Sequence, residues 1–81
     1  MEDTIKELTL ILMYLTSFYS DKYAKEYDVR SAWKGYDFDI LNQLNDEELA
    51  VGKPRNKSVT LTQDGIELAK QLCQKYNINI K

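Results

Sequence analysis

The chain has no histidine, one cysteine, one proline and three glycines in 81 residues, and each scarcity removes a class of function. Without an imidazole there is no general base to activate a serine or Cys73 as a nucleophile, and no histidine-based zinc site. A lone Cys73 cannot close an internal disulfide, so the residues give no basis for an oxidising compartment. Gly35, Gly52 and Gly65 are scattered as punctuation rather than clustered into a phosphate-cradling loop. The unbroken apolar run from Leu10 to Leu15 is far shorter than the roughly 18 residues a membrane-spanning helix needs. The start, Met1-Glu2-Asp3-Thr4, does not read as an export signal. These absences lead us to expect a cytoplasmic protein with no membrane partner, no metal, no cofactor and no catalytic residue. Carboxylates are plentiful, but on a small helical surface they are ordinarily solvated charges or helix caps.

What is present describes a small globular fold. Apolar residues make up 43% of the chain and charged residues 30%, enough for one core and a wet surface. A chain this short buries only roughly 60–65% of its unfolded surface, so the stability margin is narrow.

Asp3 or Thr4 can cap a first helix, near residues 4–19, in which Ile5, Leu8, Ile11, Leu12, Leu15, Phe18 and Tyr19 keep three-and-four spacing. That stripe is assigned to the core. Leu10, Met13 and Tyr14 then fall on the opposite side, where another element or a second copy must cover them. The small size of the chain favours a homodimer built through those three residues. Tyr19, Tyr23 and Tyr27 suggest a short second helix within 20–34, ending before Gly35. Asp37 caps a third helix near 37–49, with Phe38, Leu41, Leu44 and Leu49 as its apolar stripe.

Two short segments follow, Ala50 to Lys53 and Ser58 to Leu61, separated by the turn-forming Pro54, Arg55 and Asn56. They read as a two-stranded hairpin over 50–61 whose turn lies within Lys53 to Lys57, with Val51, Val59 and Leu61 inward. Thr62 caps a last helix near 63–76 with Ile66, Ala69, Leu72, Cys73 and Tyr76 on its buried stripe, which makes Cys73 a structural thiol. The expected core is Leu8, Leu12, Leu15, Leu41, Leu44, Val59, Leu61, Ile66, Ala69 and Leu72.

From Leu41 to Ala69 the order is a leucine-rich helix end (Leu41, Leu44, Leu49), a hairpin (Val51, Val59), and a Leu61-Thr62-x-x-Gly65-x-x-x-Ala69 helix start. This order resembles the recognition helix, wing and following helix of the winged helix-turn-helix superfamily. With the Trp33-Lys34-Gly35-Tyr36-Asp37-Phe38 block, the chain is also similar to a small bacterial family of stand-alone proteins of about this length with no assigned function. The resemblance implies an α+β, mainly helical fold, residues 1–81 forming one winged-helix domain. Its helix-turn-helix would comprise the second helix, a turn at Gly35 and the third helix.

Winged helices of this kind suggest duplex DNA, and the charge pattern speaks to that. The third helix carries Asp37, Asp39, Asp46, Glu47 and Glu48 and no lysine or arginine. At roughly 8 Å in water each carboxylate–phosphate pair costs about 0.5 kcal/mol before screening. Basic residues flank the helix instead: Lys34, Lys53, Arg55 and Lys57 are the candidate phosphate contacts, and Asn42 and Gln43 the candidate base-reading side chains on the helix itself. Each also has an ordinary reading as a soluble turn or an exposed helix residue. Two functions stay open. One is a non-enzymatic interaction module that dimerises and binds a protein partner, favoured by the acidic third helix. The other is a small DNA-binding regulator that grips phosphates through its basic wing.

Overall fold

The computed structural model describes residues 2–52 and 57–79. Its order is α1 (Glu2–Leu15), α2 (Lys22–Glu26), β1 (Ser31–Trp33), α3 (Phe38–Asp46), β2 (Ala50–Val51), β3 (Ser58–Leu61) and α4 (Gln63–Lys75). The fold is α+β and mainly helical. The strands form one antiparallel sheet in the order β1-β3-β2, with Ala32 opposite Val59 and Ala50 opposite Leu61. Ala32, Ala50, Val59 and Leu61 are all buried against the helices. Alternation along a strand sends Trp33, Val51, Ser58 and Thr60 to the other face. β2 and β3 fall within the two segments read as a hairpin, but Val51, expected inward, is 43% exposed, because alternation along β2 buries Ala50 instead; the segment joining the strands, with Lys53, Pro54 and Arg55, is outside the described residues.

The first helix corrects the expected orientation. Leu10, Met13 and Tyr14 are 1%, 0% and 7% exposed within one copy, while Ile5, Leu8, Leu12 and Leu15 are 51%, 44%, 48% and 45% exposed. The homodimer interface placed on Leu10, Met13 and Tyr14 is therefore core, and the supposed core residues Leu8, Leu12 and Leu15 face outward. The apolar run makes both sides of α1 oily, so apolar spacing alone could not choose between them. The charged neighbours make the choice: Lys6 reaches Glu47 beyond α3 at 2.7 Å, and Glu7 accepts hydrogen bonds from Lys75 Nζ at 3.0 Å and Tyr76 Oη at 2.6 Å beside α4. Lys6 and Glu7 rim the buried stripe on its two sides.

The second helix is also shorter than expected. Asp21 caps it by accepting from the Ala24 amide, and it stops at Glu26 because Asp28 turns left-handed (φ 52°) and the Val29 amide closes onto the Ala24 carbonyl. Residues 31–33, expected to be helical, are the strand β1. A strand thus separates α2 from α3, and the helix-turn-helix expected around Gly35 is not formed by those two helices. The same left-handed closure ends α3 at Glu48 (φ 58°, Leu49 amide to Leu44 carbonyl) and α4 at Asn77 (φ 59°, Ile78 amide to Cys73 carbonyl). α1 likewise stops short of residue 19: Phe18 leaves the helix to pair with Ser31 across two backbone hydrogen bonds of 2.9 Å.

The Glu7 cluster ties α1 to the end of α4, and it has a pH signature. Hydrogen bonds from Tyr76 and then Lys75 hold the Glu7 carboxyl below its ordinary 4.5, against the smaller opposing effect of burial. A depressed carboxyl stabilises the fold above its unfolded pKa, and that contribution disappears as pH falls through the folded pKa. Thermal melts should therefore show Glu7→Gln less stable than the parent at pH 6, with the gap closing below pH 4. A gap independent of pH would show that the ionised carboxylate contributes nothing.

Candidate functional site

The α3 helix forms because Asp37 caps it, accepting from the Asp39 amide at 2.8 Å and the Ile40 amide at 3.3 Å. Leu41 and Leu44 anchor it in the core. Its two flanks differ chemically. Toward the hairpin, Phe38, Leu41, Asn42 and Asn45 share one stripe and line a groove of about 420 Å³ whose other walls are Lys34, Gly52 and Val59. Toward α1, Asp37, Asp39, Ile40 and Gln43 face Ile5 across a separate groove, which Asn42 also borders. Asp46 follows Asp39 at helical spacing on that second flank, and Glu47 is paired with Lys6. Among the described residues no carboxylate lines the hairpin-side groove.

The candidate residues are thus partly assembled. Lys34 and Asn42 line the same groove. The Lys34 amide donates to the Lys57 carbonyl at 2.9 Å, which places the two lysines side by side just past the Trp33–Ser58 pair. Gln43 lies on the α1 flank, away from them. Lys53 and Arg55 lie outside the described residues. Phe38, read as part of the core stripe, is 75% exposed at the groove, and Trp33 is 61% exposed on the outer face of the sheet. Trp33 stacks on Phe18, with ring centroids 4.8 Å apart and an interplanar angle of 27°. Asn45 was missed by sequence reasoning, although its i+3 spacing from Asn42 could have marked it.

Charge is divided unevenly along the chain. Residues 29–36 and 49–63 carry Arg30, Lys34, Lys53, Arg55 and Lys57 and no acid, leaving six basic against thirteen acidic residues elsewhere. A net charge of −2 thus conceals two stretches of the sequence that are basic and free of acids. Arg30 is engaged inside the fold: its guanidinium lies 3.0 Å from Asp28 and over the rings of Tyr14 and Tyr19.

The outward side of α1 is a second surface of note. Ile5, Leu8, Leu12 and Leu15 form it with Thr4, Thr9 and Thr16, and among the described side chains none on that stripe is charged. The Thr9 and Thr16 hydroxyls donate to the Ile5 and Leu12 carbonyls at 2.7 Å, so even these polar groups make their hydrogen bonds within the helix.

Cys73 is buried in the core, where desolvation pushes its thiol up from the usual range. Among the described residues no cluster of three or more cysteine or carboxylate side chains is placed to hold a metal ion, and no helix is long and apolar enough to cross a membrane. Residues 1–79 match the family described as a domain of unknown function, DUF6429, and the chain belongs to that family. No curated protein and no solved structure matches it.

Proposed function

We propose that this chain is a non-enzymatic, winged-helix-like interaction module that self-associates through α1 and, as a dimer, engages a protein partner. The observation that carries this reading is the uncharged outward stripe of Ile5, Leu8, Leu12 and Leu15. Two copies of a stripe that bore one sign of charge would repel each other on pairing. This one meets its own image without such a cost, in a two-fold arrangement where the same patch serves both copies.

The four side chains offer about 350 Å² per copy, less than the roughly 800 Å² per partner of a standard interface, so the expected dimer is weak and transient. Sedimentation over a micromolar to millimolar series should show reversible self-association. Leu8→Glu should abolish it while leaving the circular dichroism spectrum and melting temperature nearly unchanged. A parent chain that stays monomeric throughout the series would overturn the reading.

A second reading, a regulator-like protein gripping duplex DNA through its basic hairpin, is favoured by the adjacency of Lys34 and Lys57 and by Asn42 in the same groove. Its contacts would be chiefly to phosphates. It calls for weak, sequence-tolerant binding that declines steeply with salt.

A further inference from the structure

We infer that the hairpin end of the molecule binds single-stranded nucleic acid, with unpaired bases stacked on Phe38 and Trp33 and the intervening phosphates held by Lys34 and Lys57. This inference is independent of self-association through α1.

Three observations converge on it. The first is charge: Lys34 and Lys57 sit side by side, in stretches of the sequence that hold no acid, within a chain that is acidic overall, which suits a polyanion. The second is aromatic exposure. Phe38 and Trp33 are 75% and 61% exposed, and both adjoin Lys34, Phe38 across the groove and Trp33 as its chain neighbour on the opposite face of β1. Exposed rings gain little from a duplex, whose bases already stack on one another and present only their edges. Unpaired bases offer whole faces, and stacking on aromatic side chains is the usual means of holding them. The third is the amide pair. Asn42 and Asn45, one turn apart, line the groove that Phe38 overhangs, within the same wall as Lys34. An amide supplies both donors and an acceptor, which suits the edge of an unstacked base.

The placement of acids on α3 decides between a single strand and a duplex. A duplex taking α3 into its major groove would bring phosphates along both flanks of the helix, including the flank of Asp37 and Asp39. A single strand can lie on the hairpin flank alone, past Phe38, Asn42 and Asn45, and avoid the acidic side.

The test is a titration of the full-length protein with ten-nucleotide oligo-dT and oligo-U at low salt, following the anisotropy of a labelled strand and the fluorescence of Trp33, the only tryptophan. Both signals should change together, with the fluorescence quenched. Because single strands release about 0.7 counterion per phosphate contacted, log affinity should fall against log salt with a slope of about −1.4 for the two lysine contacts. Phe38→Ala, at an exposed position, should weaken binding about tenfold without altering the melting temperature. The double substitution Lys34→Ala with Lys57→Ala should flatten the salt slope.

Preference for oligo-U or oligo-dT would identify the natural strand as RNA or DNA, and either supports the inference. Absence of binding to both at low salt would overturn it. So would a blunt duplex of the same length binding as tightly with no response to Phe38→Ala, since that describes a phosphate grip alone. Equal binding of a polyglutamate peptide would overturn it as well, because any polyanion would then suffice.

Discussion

Replacing Gly65 by alanine should remove a large share of the chain's stability and lower its urea midpoint well below the parent's. In an isolated helix this substitution favours the folded form by up to about 1 kcal/mol, since glycine loses more backbone freedom on folding. Here packing reverses the sign. A Cβ at Gly65 would run into the Leu49 carbonyl oxygen and lie 2.9 Å from its carbon, and these are backbone atoms that no rotamer change can move aside. Leu49 cannot retreat. Its carbonyl accepts from the Thr62 amide at 3.1 Å and the Thr62 hydroxyl at 3.1 Å, and its side chain is buried. Overpacking of this kind costs about 3 kcal/mol or more, against a total stability of roughly 4–12 kcal/mol for a domain of this length. Urea denaturation followed by circular dichroism would measure the loss. A midpoint equal to the parent's would show that the Leu49 turn yields more readily than its hydrogen bonds allow.

The same junction explains which parts of the fold were legible in the sequence. Thr62, Gly65 and Ala69 each meet a local demand that residue type and spacing disclose. Thr62 caps α4 by accepting from the Gly65 amide at 2.9 Å, Gly65 lets the helix start touch the Leu49 turn, and Ala69 is fully buried one turn later. Asp37 and the hairpin strands were legible for similar reasons, since caps and turns are set by neighbours in the chain. Elements decided by distant partners were not. β1 is only three residues long and exists through its pairing with β3, which the local run of Val29 to Trp33 did not announce beside helical tyrosine spacing. Phe38 kept time with the leucines of α3 yet stands at the groove, because apolar spacing marks a stripe without saying where the stripe ends. For the candidate site, the sequence supplied Lys34, Lys57 and Asn42, but only the fold showed that the acids of α3 lie on the opposite flank.

The orientation of α1 leads to a contrast between two adjacent residues. Met13→Glu should unfold the protein and Leu12→Glu should not, although both put a carboxylate into the same apolar run. Met13 is fully buried in the hydrophobic cluster, so a carboxylate there must either stay charged without water or take up a proton, at a cost of several kcal/mol. Leu12 is 48% exposed, and a carboxylate at that position remains hydrated. Its effect on the monomer should be within about 0.5 kcal/mol, while two such charges facing each other across a dimer seam repel. Leu12→Glu should therefore be a soluble, folded monomer at concentrations where the parent associates, and Met13→Glu should lack a cooperative thermal transition. Apolar periodicity read along the chain predicts the reverse, with position 12 intolerant and position 13 tolerant. A pair of melting curves distinguishes the two orientations, and an unfolded Leu12→Glu beside a folded Met13→Glu would return the outward face of α1 to the core and remove the proposed seam with it.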